Sequence, residues 1–424
     1  MTEVFKELII SFKDYRIKSY IEREINLPLK SSKIISIIGA RRTGKTYLLF
    51  SVYDKLKQSI PEDRIVYINF EDDRLFGLKV TDLQRLITAY YELYPANRGK
   101  TVYFLFDEIQ NIKNWELFVR RVYDTENCRI FLTGSSSKLL SKEISTSLRG
   151  RTLTYELFPY SFREYLSSRK IDIDVYSQMK ISYIKKAFGD YLKKSSFPEL
   201  VNFESNEMRL SLQEYLNMII YKDIVERYNV QNVYLIKSLI KFLFSNVSCL
   251  ISINKIYNDF KSQGYTLSKD ILHRYFGYLE DSYSLYTVPV LTKNLKELNR
   301  NPKKIYVIDN GLSAVMNMKV DLGKQFENIA YMNLRRQNKY ISYFKDNQEV
   351  DFVTENNNQL TLINVCYNMQ NRQTRERELS GMLEALKKLK VNSGTIITND
   401  DSEKIMQSGK QITLIPMWKW LLET

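Results

Sequence analysis

Apolar, β-branched residues bunch into short runs along the first third of the chain. Lys33-Ile34-Ile35-Ser36-Ile37-Ile38 is one such run, and Arg64–Phe70, Val102–Phe106, Arg129–Thr133 and Leu153–Leu157 are others. Between the runs, apolar positions recur at i, i+3, i+4 and i+7, as in Trp115, Phe118, Val119 and Val122, which is one face of a helix. Strand alternating with helix predicts parallel strands joined by crossover helices, an α/β layer fold. Ahead of it, residues 1–30 predict a helix ending near Pro28.

The pattern changes after Phe158-Pro159. Residues 160–232 predict helices, with a break at Phe197-Pro198. Helices follow over Val233–Asn246, Ser252–Lys261 and Ser268–Glu280, then strands over Leu285–Leu291 and Lys304–Val307. Three helices and a hairpin of this size fit a winged helix-turn-helix. A third pattern starts at Leu322: helix Gly323–Gln337, strands Tyr340–Lys345, Glu349–Thr354 and Leu360–Tyr367, a helix striped by Leu379, Met382, Leu383 and Leu386, and strand Thr395–Thr398. Asn356-Asn357-Asn358 suits a hairpin turn, because Asn tolerates positive φ. The chain therefore divides into an α/β domain over 1–166, a helical and winged-helix region over 167–320, and a small second α/β domain over 321–424.

Composition narrows the class. No apolar run approaches the roughly 18 residues needed to span a bilayer. The N-terminal stretch mixes both charges with apolar residues instead of forming a signal-peptide core. The expected compartment is the cytoplasm. Cys128, Cys249 and Cys366 are far apart and odd in number, which points to free thiols. With His273 the only histidine, a zinc site is not expected. The net charge of +14 is compatible with attraction to nucleic acid or with Lys-rich bias spread over solvated faces.

The chemistry concentrates at Gly39-Ala40-Arg41-Arg42-Thr43-Gly44-Lys45-Thr46, which satisfies the phosphate-binding P-loop pattern between a strand and a helix. Glycines let consecutive N–H groups converge on phosphate oxygens, and the helix N-terminus favours an anion. Lys45 would meet the β- and γ-phosphates of ATP, and the Thr46 hydroxyl would ligate Mg²⁺. The strand Val102–Phe106 ends in Asp107-Glu108. Asp107 is expected beside the magnesium. Glu108 is expected as general base, a role that contributes about 10²–10⁴-fold in rate. Thr133 and Ser135, at the end of a third strand, could sense the γ-phosphate or simply solvate a loop. Arg149 and Arg151 are candidate arginine fingers, an effect of about 10³–10⁵-fold when engaged, with a surface salt bridge as the competing reading.

The stretches GARRTGKTYLL, FLFDEIQNIKNWELFVRRVYD and FLTGSSSKLLSKEISTSLRGRTLTYELFPYSFREYL resemble the bacterial and archaeal AAA-type ATPases of the P-loop superfamily. The resemblance spans nearly the whole chain and is most specific over residues 34–166. It implies a sheet of strand order 5-1-4-3-2, a winged-helix region, and a restriction-endonuclease-like C-terminal domain. That last domain departs from the nuclease pattern. Glu327 and Asp351 fit two acidic positions, but Asn364 and Cys366 stand where an acid and a lysine belong. Asn is a poorer ligand for a hard cation than a carboxylate, so nuclease activity is not expected.

The expected function is Mg²⁺-dependent ATP binding and hydrolysis that rearranges the winged-helix and C-terminal modules. The alternative is a nucleotide-gated DNA-binding regulator with ancillary ATPase activity. Residues 229–310 hold 11 Lys/Arg against 6 Asp/Glu, a thinner basic stripe than DNA readers usually show. DNA, a protein partner and self-association all stay open as readings of that region.

Overall fold

Strand β1 (Ile34–Ile38) is buried along its whole length, and so is the strand Val102–Asp107, because both faces of the sheet are covered there. The computed structural model describes residues 1–134, 148, 150–317, 319–337, 340–356 and 359–424. They divide into two compact units, Met1–Phe158 and Pro159–Thr424.

In the first unit, β1 joins β2 (Ile65–Asn69), β3 (Val102–Asp107), β4 (Cys128–Gly134) and β5 (Thr152–Glu156). The order is β2-β3-β4-β1-β5, with every pairing parallel. Read from the other edge this is the expected 5-1-4-3-2 order, and the unit is a P-loop nucleoside-triphosphatase fold. Alternate residues of β3 serve opposite faces. Tyr103 and Leu105 pack with Leu48, Leu49 and Val52 of α2 (Lys45–Lys57). Phe104 and Phe106 meet Tyr90 and Phe118 on helices of the other face, with ring centroids 6.0 and 6.2 Å apart. The order 2-3-4-1-5 places the ends of β1, β3 and β4 side by side, which is where the candidate chemistry lies.

The N-terminal helix is shorter than expected. It covers Thr2–Lys13, and residues 15–30 take no regular form apart from turns. Beyond Asp14 the segment is dense in charge, and tertiary contacts outweigh its helix propensity. Tyr20 Oη donates to Asp54 Oδ2 at 2.7 Å, and Leu27 is buried against the α2 face of the sheet.

The second unit opens with helices Phe162–Ser168, Gln178–Lys193 and Ser205–Met218, the last continuing into a π-helical turn at Ile219–Glu226. Helices Val233–Ser245, Ile253–Ser262 and Lys269–Asp281 follow. They accompany a small antiparallel sheet of β6 (Leu250–Ile251), β7 (Leu285–Val288) and β8 (Lys303–Val307), in the order β6-β8-β7. After helix Leu322–Arg336 comes a six-stranded mixed sheet: β9 (Tyr340–Lys345), β10 (Glu349–Asn356), β11 (Gln359–Cys366), β12 (Ser393–Thr398), β13 (Glu403–Gln407) and β14 (Lys410–Pro416). Its order is β13-β14-β12-β11-β10-β9. β10 and β11 form the expected antiparallel pair, with Asn356 opposite Gln359; residues 357 and 358 lie outside the described residues.

Candidate functional site

The loop between β1 and α2 has the backbone its sequence requires. Gly39 has φ +141°, and a Cβ placed there would lie 2.2 Å from the carbonyl oxygen of Leu157. Only glycine fits that approach. Gly44 has φ 92° and caps α2. Arg42, at φ 65°, is also left-handed. Thr43 Oγ1 donates to the Ala40 carbonyl at 2.9 Å inside the loop, so its hydroxyl is committed to loop shape. Lys45 is 4% exposed. Its Nζ donates to the carbonyls of Gly39 at 3.2 Å and Ala40 at 3.0 Å.

The acidic pair closes on the same edge of the sheet. Because β1, β3 and β4 run parallel, their C-terminal ends carry Ile38, Asp107 and Gly134 to one side. Glu108 Oε1 lies 3.8 Å from Lys45 Nζ. Glu108 has φ 51°, a left-handed conformation worth about 1 kcal/mol or more of strain in a non-glycine residue. Thr133 offsets that strain: its Oγ1 accepts from the Glu108 N–H at 2.8 Å and donates to Asp107 Oδ1. One hydroxyl thus ties the two carboxylate residues together. Burial, and then the charge of Glu108, push Asp107 above the usual carboxylate range, while hydrogen bonds from Thr133, Thr46 and Tyr67 pull it back.

The structure brings Gly39–Thr46, Asp107, Glu108 and Thr133 together. Arg41 lies beside the loop's surface, 3.8 Å from Glu71. Arg151 is not brought there. It precedes β5, at the strand end opposite the loop, and its Nε and Nη2 bond to Asp124 at 3.1 and 3.2 Å. The five residues of β1 separate the two edges by roughly 16 Å. Ser135 and Arg149 lie outside the described residues.

Three further contributors are not marked by the sequence pattern. Tyr67 Oη donates to Asp107 Oδ2 at 2.9 Å; Tyr67 is opposite Leu105 in the β2–β3 register, so it shares a face with Asp107. Burial, with Asp107 adding to it, drives the Tyr67 phenol well up, so it stays a donor. Gln110 Nε2 donates to Glu108 Oε2. Arg23 reaches from the N-terminal segment to the carbonyls of Thr43 at 2.7 Å and Phe158 at 2.6 Å. Only the strand register could have exposed Tyr67, and nothing in the local pattern marks Arg23.

The donor set suits a hard cation carried with a triphosphate. One carboxylate and one hydroxyl are oxygen ligands, and Mg²⁺ is typically held by one or two carboxylates plus substrate phosphates. Among the described residues, no group of three or more His, Cys, Asp or Glu is arranged to hold a metal ion by itself. None of the described helices is long and apolar enough to cross a membrane.

Fold and loop together define a P-loop nucleotide-binding domain of AAA type, and a family model described as an AAA domain matches residues 31–166. Two further models, each described as a domain of unknown function (DUF8612 and DUF4143), match residues 185–323 and 322–420. An uncharacterized protein of Methanocaldococcus jannaschii is 36% identical over 99% of this chain and 95% of its own length. An uncharacterized protein of Haemophilus influenzae is 30% identical, over 82% of this chain and 86% of its own. The chain belongs to the family of these archaeal and bacterial proteins. Among solved structures, the Aeropyrum pernix ORC1 protein in complex with DNA is similar over 74% of this chain and 90% of that one, at 10% identity and a TM-score of 0.31.

Proposed function

We propose that the first unit binds ATP with Mg²⁺ on Gly39–Thr46 and hydrolyses it, and that turnover rearranges the modules of the second unit. The observation that carries this reading is the Lys45–Glu108 approach of 3.8 Å beside Asp107 on the loop edge. Lys45 would exchange its carbonyl partners for the β- and γ-phosphate oxygens. Thr46 and Asp107 would hold the metal, which neutralises charge developing on the phosphates. Glu108 would take a proton from the attacking water, while Gln110 holds its carboxylate and Thr133 anchors its backbone N–H.

Two substitutions test the assignment. Lys45→Ala should abolish ATP binding by calorimetry. Glu108→Gln should bind ATP and lose turnover by about 10²–10⁴-fold. Equal steady-state hydrolysis by wild type and Glu108→Gln would show that the base is another residue.

A second reading keeps the ATP site and adds DNA binding through the winged-helix pattern of helices 233–281 and β6–β8. In its favour, Lys269, His273 and Arg274 are exposed on helix Lys269–Asp281 while Leu272, Tyr275 and Leu279 are buried. DNA affinity that falls steeply with salt would support it, and no shift at low salt would remove it.

A further inference from the structure

We propose that Lys304 is the resident cation of a carboxylate cage in the second unit, filling with the chain's own ammonium a position that would otherwise accept a divalent metal. Lys304 lies on β8 and its side chain is 2% exposed. Its Nζ is 2.6 Å from Asp351 Oδ1, 2.8 Å from Glu349 Oε1 and 3.0 Å from Glu327 Oε1. Those carboxylates come from different places: Glu327 from helix Leu322–Arg336, Glu349 and Asp351 from β10. Three carboxylates from two elements converge on one buried ammonium, and carboxylate oxygens are the donors a hard cation takes. With the ammonium in their midst, the three do not form a metal-holding group. The cation found there belongs to the protein.

The surroundings fit a site saturated without metal. Tyr306 Oη donates to Glu327 Oε1 at 2.6 Å. Asp351 Oδ2 accepts from the Val365 N–H at 2.8 Å, leaving only Oδ1 for the ammonium. Asn364 explains itself here. Its Oδ1 accepts from the Asp351 N–H at 3.0 Å, while its Nδ2 donates to Glu378 Oε2. A carboxylate at 364 could not donate, and would face Glu378 charge against charge. Glu349, the most exposed of the three, also has Lys345 at 3.9 Å. Burial alone would lower the Lys304 pKa, but Asp351, Glu327 and Glu349 outweigh it and hold the ammonium protonated. The consequence is twofold: β8 is tied to the six-stranded sheet by charge, and the cluster folds without metal and does no metal-dependent phosphodiester cleavage.

The test uses the full chain, free of nucleotide, with Mn²⁺ as probe. Wild type should bind no Mn²⁺ at the cage and show no change in thermal midpoint on adding it. Lys304→Ala, which removes the ammonium and leaves the carboxylates facing space, should unfold at lower temperature and gain one Mn²⁺ site by calorimetry. Millimolar Mn²⁺ should restore several degrees of its midpoint, and adding Asp351→Asn should remove that gain. If Lys304→Ala fails to fold, Lys304→Ala with Glu327→Gln carries one fewer uncompensated charge, keeps Glu349 and Asp351, and is read the same way. The proposal is overturned if wild type binds Mn²⁺ in a manner lost in Asp351→Asn, or cuts DNA with a divalent metal. It is equally overturned if the folded variants take up no Mn²⁺.

Discussion

Lys45 and Glu108 approach within 3.8 Å of each other, with side chains 4% and 11% exposed. A buried ammonium this close to a carboxylate is partly engaged before a triphosphate arrives. Binding must therefore displace some of that attraction. Glu108→Gln removes the competing charge but keeps the side-chain shape, so its ATP affinity should equal or exceed that of wild type by a few-fold while turnover falls. Calorimetry with a non-hydrolysable analogue gives both affinities on one scale. A tenfold weaker Glu108→Gln complex would mean that the carboxylate helps hold the nucleotide.

Thr133 carries a hydroxyl that two neighbours need at once: the Glu108 N–H at 2.8 Å and the Asp107 carboxylate. Thr133→Val keeps the volume and strands a buried N–H, which costs about 1–3 kcal/mol. Stability to urea should drop by that amount, and turnover should fall further because Glu108 loses its backbone anchor. Thr133→Ser should recover most of both. A Thr133→Val protein with normal kcat would reduce the hydroxyl to a packing detail.

Gly39 and Gly77 both have positive φ, +141° and +77°, yet only Gly39 faces an obstacle, the Leu157 carbonyl oxygen, which would stand 2.2 Å from an added Cβ. Gly77→Ala should cost only the conformational term, about 1–2 kcal/mol. Gly39→Ala must also push two backbone segments apart. It should lose roughly 2–4 kcal/mol and most of its ATP affinity, by chemical denaturation and calorimetry. Similar losses for the two variants would show that crowding at Leu157 is absorbed easily.

The phosphate loop and its acidic strand are legible in the sequence because local residues dictate them: a glycine at the close approach, a lysine at the helix start, a carboxylate where an apolar strand ends. Strands β1 to β4 of the first unit are legible from apolar runs buried on both faces, and the more exposed edge strand β5 from its place at the end of the alternation. Residues 15–30 are not, since Arg23 and Tyr20 are fixed by partners distant in sequence, at Phe158, Thr43 and Asp54. β13 escapes a reading of the pattern for another reason. Its residues Glu403–Gln407 form an edge strand with little burial, so the alternation is faint. Its partner β14 does alternate, with Ile412, Leu414 and Pro416 buried, and the turn between them, Ser408-Gly409, has φ 52° and 72°, as a tight hairpin needs. Lys304 shows the limit most clearly. A search along one strand for the missing lysine finds Cys366, whereas the lysine that meets Asp351 arrives from β8, 47 positions upstream.

Arg151 pairs with Asp124 through two bonds at 3.1 and 3.2 Å, on a partly exposed surface. Exposed pairs of this kind are worth about 0–1 kcal/mol. If the pair is all that Arg151 does, Arg151→Ala should leave basal ATP turnover within twofold of wild type at every protein concentration. An arginine reaching a neighbouring copy's phosphates would behave otherwise. Turnover would rise with protein concentration in wild type and lose that rise in Arg151→Ala. Steady-state rates across a hundredfold concentration range separate the two.

Glu327 supplies a pH signature for the second unit. Burial first, and then the charge of Asp351, push its carboxyl up to about 7 from an ordinary 4.5, against the opposing pull of Lys304 and Tyr306. A group whose folded pKa is raised binds more protons in the native than in the unfolded state. Its contribution to stability is therefore full below about 4.5 and is lost as pH rises through about 7. Asp309 and Glu378, both also raised by burial, add slopes of the same sign. The Glu327 share is isolated by difference. Glu327→Gln cannot titrate, and Lys304 keeps Asp351 and Glu349 as partners, so the fall in stability between pH 4.5 and 7 should be shallower than in wild type. Urea midpoints at half-unit intervals, with nucleotide absent, measure both slopes. Coincident slopes would mean that Glu327 stays ionised across this range, and that the Lys304 charge dominates its burial.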